Sequence, residues 1–292
     1  EDDHGVDIAV GQGVDRGRCA GDAGNVSHMV KLPARGDSRE QCVDVAREML
    51  GSDRSRQAPS GAGRYGCPMT PRVRSVNVGA SRFLAGKGGE PSGIDKRPVP
   101  AIEVRAPGTK RDGLGSGVLG DFLGDRRHHG GDNQAVYAVA REELDHWAGE
   151  LGRDLPDGMF GENLTTAGLD VDGAHIDDLW QVGSAVLRVA APRIPCATFA
   201  AHLGERGWVK RFAARGRSGA YLGVEQPGTI RPGDEVVVLH RAGHGITVSV
   251  AMAAYYGDPP SLAAVQAAGC GNEEFRAEYA AIRPRGDDGS TP

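Results

Sequence analysis

Apolar positions along this chain fall into two textures. Residues 1–68 hold no Phe or Trp, one Tyr (Tyr65), and ten Leu, Ile or Val scattered at a period of neither 2 nor 3.6. So few apolar side chains cannot offset the entropy of ordering the backbone. We therefore expect 1–68 to be a disordered or non-functional N-terminal extension, with one isolated helical-looking patch at 41–50. From residue 69 the chain changes. Short apolar and β-branched runs recur at 73–78, 101–105, 135–139, 185–190, 220–224, 235–240 and 246–250, divided by Gly, Pro and Asp, a pattern that predicts strands joined by turns. Helical spacing predicts helices at 142–151, 205–214, 261–268 and 273–282, with another opening near Ala197; Pro259-Pro260 precedes the third and Gly269 stops it. Residues 284–292 read as a frayed tail. Many short strands with few helices predict an α+β fold, mainly β, closed into a barrel so that strand edges are not exposed.

Charge and composition narrow the function. With 34 Lys+Arg against 39 Asp+Glu the net charge is −5, which argues against a nucleic-acid partner held by bulk electrostatics. No apolar run approaches the ~20 residues of a membrane span, and Glu1-Asp-Asp-His4 does not open a secretory signal. The expectation is a cytoplasmic protein without a membrane partner. The five cysteines, at 19, 42, 67, 196 and 270, form neither a zinc ribbon nor a disulfide framework. No GxSxG or HExxH motif is present.

Two weaker patterns carry little. Gly115-Ser-Gly-Val-Leu-Gly120 spells GxGxxG, but the loop-like Asp121-Phe-Leu-Gly-Asp-Arg-Arg follows it where a dinucleotide site needs a helix. His128 and His129 beside Asp125 and Asp132 lack further ligands at metal-site spacing. Cys196 stands apart. In Pro192-Arg-Ile-Pro-Cys196 it follows a strand, precedes a helix start and has Arg193 close by, surroundings that favour a thiolate. On these local features alone an ordinary buried cysteine remains the better reading.

Several phrases in order then add to the picture: Ser75-Val-Asn-Val-Gly79, Ser92-Gly-Ile-Asp-Lys-Arg-Pro-Val99, Gly124-Asp-Arg-Arg-His-His-Gly-Gly131, Phe160-Gly-Glu-Asn-Leu-Thr-Thr166, Pro192-Arg-Ile-Pro-Cys196, Arg217-Ser-Gly-Ala-Tyr-Leu222 and Pro227-Gly-Thr-Ile-Arg-Pro-Gly-Asp234. Over about 69–282 the chain resembles the MOSC family, in particular its YiiM-like branch. The resemblance implies a MOSC β-barrel over 69–255, related to the pyruvate-kinase insert barrel, and a small helical appendage over 256–292. It implies the molybdenum cofactor (molybdopterin), with Cys196 as thiolate ligand to the metal, and a family-level association with pyridoxal phosphate. The implied activity is reduction of N-hydroxylated bases or related compounds with electrons from a separate redox protein.

Carried onto this chain, the resemblance makes Cys196, Asp125 and His129 catalytic candidates. Lys96, Arg97, His129, Gly130, Gly131, Glu162, Asn163, Arg193 and Cys196 become cofactor-binding candidates, and Lys210, Arg211, Arg215 and Arg217 could line an entrance or meet an acidic donor. Sulfur transfer through a Cys196 persulfide and non-catalytic cofactor carriage remain open. The chain departs from the family pattern at Ile176-Asp-Asp-Leu179, where the family shows Ile-Gly-Asp-Arg, and its stretch after Ala268 looks short for a three-helix appendage.

Overall fold

The computed structural model describes residues 70–83 and 91–285. The expectations for 1–68, including the patch at 41–50, lie outside the described residues.

Twelve strands and six α-helices run in the order β1 (Arg72–Gly79), β2 (Arg82–Phe83), β3 (Pro91–Ser92), β4 (Lys96–Val99), β5 (Ile102–Val104), β6 (Val136–Ala140), α1 (Arg141–Leu151), β7 (Leu164–Ala167), β8 (Leu179–Val182), β9 (Ala185–Pro192), α2 (Ala197–Leu203), α3 (Trp208–Arg215), β10 (Ala220–Gln226), β11 (Gly228–Ile230), β12 (Val236–His240), α4 (Val248–Tyr255), α5 (Pro259–Ala268) and α6 (Glu273–Ala281) among the described residues. Eight strands form one sheet in the order β12-β8-β9-β10-β6-β7-β1-β4. Only the β6–β7 pair in that sheet is parallel. Its two ends meet. Val73 N donates to Asp234 O at 2.8 Å, Gly233 N to Val73 O at 2.8 Å and Val236 N to Pro71 O at 2.9 Å, and Arg72 bridges Glu235. β1 thus closes a barrel against the start of β12, which satisfies backbone groups that an open edge would leave bare.

β6 is buried along its whole length because it faces two cores. Val136, Ala138 and Ala140 point into the barrel with Leu164, Trp180, Leu187 and Leu222. Tyr137 and Val139 point out into a second, aromatic core with Trp147, Phe160, Phe199, Trp208 and Phe212. Period-2 alternation separates these two sets. Trp147 and Trp208 meet edge to face at 4.6 Å, and Phe199 meets Trp208 at 5.4 Å, geometries that add to area burial.

Several expectations are corrected here. Residues 246–250 were expected as a strand; Thr247 instead caps α4, accepting a hydrogen bond from Val250 N at 3.1 Å. The alanine-rich remainder, Ala251-Met-Ala-Ala254, favours the helix. The helix expected at 205–214 starts only at Trp208, since Gly207 sits at φ 70. Strands β4, β7 and β8 were not foreseen, because four-residue strands carry too little periodicity to read. The appendage has three helices, α4, α5 and α6, the last two capped by Asp258 and Asn272. At the start of the tail expected over 284–292 Arg285 N donates to Gly257 O at 2.8 Å, and 286–292 lie outside the described residues. No helix among the described residues is long and apolar enough to cross a membrane.

At the departure from the family pattern the turn survives. Asp177 holds φ 69, the only non-glycine among the described residues at positive φ. Its carboxylate accepts from Gly271 N at 2.7 Å and pairs with Arg188 at 3.3 Å. Those two bonds tie the turn to the appendage and to β9, offsetting a conformation that L-residues disfavour.

Candidate functional site

A cleft of about 470 Å³ opens beside the end of β9 and the start of β10. That volume lies in the range of small-molecule and cofactor sites. Its walls come from β4, the long loop between β5 and β6, the segment leading into β7, and the turn between β9 and α2. Tyr137 and Tyr221, register partners on β6 and β10, line it with rings 5.2 Å apart.

Cys196 occupies the N-cap position of α2 and is half-buried. Burial pushes its thiol pKa up, but the nearby polar groups of His129 and of the Phe199 backbone and the charge of Arg193 outweigh that and bring it down to about 5. Arg193 is buried, with its guanidinium 4.5 Å above the Phe199 ring and Nη1 donating to Ile194 O at 2.6 Å. No carboxylate pairs with it among the described residues, and its Nε lacks a hydrogen-bond partner. Burial of an unbalanced guanidinium is costly. The neighbouring thiolate supplies the opposite charge.

The expected site residues divide in three. Cys196, His129, Arg193 and Gly130 come together at the cleft wall. Gly130, at φ 89, leaves no room for a Cβ, which would stand 2.7 Å from Gly115 O; this close approach lets the chain turn directly after His129.

Lys96, Asn163 and Asp125 line the cleft but are already engaged. Lys96 Nζ donates to both Asp121 oxygens at 2.5 and 2.6 Å. The Asn163 side chain accepts from Tyr137 N and donates to Asn77 O and to Asp121. Asp125, open to orienting the imidazole, to proton transfer or to capping the turn, has its carboxylate on His128 at 2.8 Å and on Arg127 N at 3.0 Å. The bond to His128 holds its pKa below the usual carboxylate range.

Arg97, Glu162 and Gly131 do not line the cleft. Arg97 is exposed and pairs with Asp95 at 2.9 Å, because adjacent strand residues point to opposite faces and Lys96 takes the inward one. Glu162 is buried behind the wall, accepting from Gly158 N at 2.6 Å, Phe160 N at 2.9 Å and Thr165 Oγ1 at 2.8 Å. Gly131 packs against the Lys110 backbone. Of the further cations, Arg215 and Arg217 pair with Glu143, and Arg211 lies 5.6 Å from the centre of the Trp147 ring.

Sequence reasoning missed Asp121, Ser116, Tyr137 and Tyr221. Asp121 is the hub of one wall, accepting from Gly79 N, Lys96, Ser116 and Asn163. Its partners lie up to 42 residues away, and no local pattern signals them. The Gly115–Gly120 motif enters this wall through Ser116 and opens no helix.

Comparison with known proteins agrees with this architecture. The family profile described as MOSC domain matches residues 125–237, from the His128-His129 turn into β12. Uncharacterized protein YflK of Bacillus subtilis (strain 168) is 32% identical over 195 residues, covering 66% of this chain and 85% of that relative. Protein YiiM of Escherichia coli (strain K12) is 29% identical over 121 residues, covering 39% of this chain and 52% of its own length. Among solved structures, YiiM from Geobacillus stearothermophilus superposes with a TM-score of 0.57 at 24% identity, covering 72% of this chain and 97% of that one, a likeness of fold. With YflK matched over most of its length and the profile spanning the strands that carry Cys196, this chain belongs to the MOSC domain family.

Proposed function

We propose that the protein binds the molybdenum cofactor through the Cys196 thiolate and reduces N-hydroxylated bases or related N-oxygenated compounds, with electrons from a separate redox protein. The observation that carries this reading is the Cys196 thiol, brought to a pKa of about 5 at the wall of a cleft beside a buried cation. The residues fit the group. A thiolate is a soft ligand suited to such a metal centre, and Arg193, with no carboxylate partner and an unbonded Nε, can meet an anionic portion of the cofactor. Gly93 and Gly124 let the segments of the facing wall pack closely, since a Cβ there would stand 1.9 Å from Phe122 O and 2.1 Å from Pro91 O.

Bound there, the cofactor would supply two electrons to an N–O bond, so that an N-hydroxy compound and two protons become the N–H compound and water. The chain's own residues do the rest. Arg193 keeps the thiolate charged, and His129, which shares the cleft wall with Cys196, is placed to serve as a general acid. Tyr137, Tyr221 and Phe160 give aromatic walls to a flat base. Asp125, held ionised by His128, keeps the mouth polar.

The same accessible thiolate suits a persulfide carrier, and one assay separates these readings. Protein made in a cofactor-competent host is tested without oxygen for reduction of an N-hydroxylated purine using a chemically reduced electron carrier. The expected outcome is turnover by wild type and a loss of at least about a hundredfold in Cys196→Ser with its circular dichroism unchanged. Full turnover by metal-loaded Cys196→Ser would contradict the reading. Absent turnover, an extra sulfur in the intact mass of non-reduced protein would assign the persulfide role, and bound metal alone would assign carriage.

A further inference from the structure

Between His129 and β6 the chain forms a 3-10 helix, Asp132–Gln134, in which Asn133 is buried. Asn133 lies 139 residues from Asn272, yet the two exchange side-chain amide bonds: Asn133 Nδ2 donates to Asn272 Oδ1 at 2.9 Å and Asn272 Nδ2 donates to Asn133 Oδ1 at 2.6 Å. Asn272 is also the N-cap of α6, where the same Oδ1 accepts from Phe275 N at 3.0 Å. Two residues on, Glu274 reaches the same place. Its Oε2 accepts from Asn133 at 3.0 Å and its Oε1 pairs with Lys110 at 3.1 Å. Lys110 in turn is the residue whose backbone packs against Gly131. The first turn of α6 therefore holds both the 3-10 helix that follows the His129-Gly130-Gly131 turn and the Lys110 segment that packs against it.

We propose that α6 is a positioning element of the cleft: Asn272 and Glu274, acting through Asn133 and Lys110, hold the 129–134 segment so that His129 and Gly130 stay in the wall they share with Cys196. The bonds within the segment do not do this alone. His129 N bonds to Asp125 O and Gly130 N to Gln134 Oε1, which shape the turn, while Gly131 N to Gly115 O, Asp132 N to Gly108 O and Gly108 N to Asp132 Oδ1 tie it to the neighbouring loop and Asp132 O lies against Gly223 of β10. The amide pair and Glu274 are its connection to a packed helix, anchored in the core by Phe275 and Tyr279. Loss of the amide pair removes two bonds and leaves the buried Asn133 partly unsatisfied, a change large enough to release a loop. The three helices of the appendage thereby serve the site, whichever chemistry Cys196 performs. The inference does not depend on the cofactor being molybdenum-based, and it is tested on protein without cofactor.

The test uses the full chain labelled with nitrogen-15 histidine, observing the His129 ring nitrogens at neutral pH and assigning them with His129→Gln. Asn272→Ser keeps a capping hydroxyl for α6 but cannot reach Asn133. The expected result is that the His129 ring signals shift from their wild-type positions, and that amide exchange over 129–134 quickens about tenfold or more. Asn133→Ser, which cuts the same pair from the barrel side, should do likewise, and it serves if Asn272→Ser does not fold. Asp177→Gly cuts a different tie of the appendage, the bond to Gly271 N, and should leave His129 unmoved. Unchanged His129 signals in a folded Asn272→Ser or Asn133→Ser protein would overturn the proposal. An equal movement in Asp177→Gly would overturn it too, since docking of the appendage at large would then suffice.

Discussion

Glu162 is an acid with no cation beside it among the described residues, and burial raises its pKa to about 7 against the opposing pull of its bonds to Gly158, Phe160 and Thr165. Between the ordinary carboxylate value and about 7 the folded protein holds a proton there that the unfolded chain has released. Its contribution to stability therefore falls as pH rises through that window. Cys196 acts in the opposite sense. Its pKa is lowered to about 5, so the stability linked to it is complete above the unfolded thiol value and is lost as pH falls toward about 5. We predict from urea denaturation between pH 5 and 8 that Glu162→Gln gains stability relative to wild type as pH rises, whereas Cys196→Ser loses it. Parallel pH curves for wild type and either variant would contradict the corresponding assignment. At this scale the sequence was informative about Cys196, since two prolines, an arginine and a helix start surround it locally. It was uninformative about Arg97 and Glu162, whose place in a family phrase says nothing of which way a side chain points. Asp121 and Tyr221 were invisible because their partners are distant in the chain.

Among elements, the instructive case is α4. Ile246-Thr-Val-Ser-Val250 has the composition of a strand, and an isolated β-bridge from His175 to Thr247 shows that the chain is extended up to that residue. There Thr247 turns it into a helix by accepting from Val250 N. Thr247→Ala should cost about 1 kcal/mol in urea denaturation; no measurable loss would show that packing alone sets the helix start. The aromatic core under α1, α2 and α3 makes a larger demand. Trp208 is fully buried among Trp147, Phe160, Phe199 and Phe212, so Trp208→Ala should cost about 3–5 kcal/mol. Because Phe199 is also the ring beneath Arg193, the same variant should lower cofactor retention, read as metal per chain after dialysis. Retention equal to wild type would separate that core from the site. Strands of five to eight residues such as β1, β6, β9, β10 and β12 were legible from their apolar runs, whereas β4, β7 and β8 take their identity from neighbours rather than from their own pattern.

For the molecule as a whole, closure of the barrel was expected in kind but its seam was not. The bonds between β1 and the start of β12 join residues about 160 positions apart, and no local signal marks such a pairing. The seam and the two cores sharing β6 bring together two segments remote in sequence: the β5–β6 loop that carries Asp121 and His129, and the turn at Cys196. The central claim is that this convergence makes Cys196 the ligand of a molybdenum-containing group. Its most direct test is molybdenum per chain in full-length protein from a cofactor-competent host, measured by plasma mass spectrometry beside Cys196→Ala. The account predicts near-stoichiometric metal in wild type that is lost in the variant while the fold persists. Metal bound equally by both proteins, or by neither when both are folded, would contradict it.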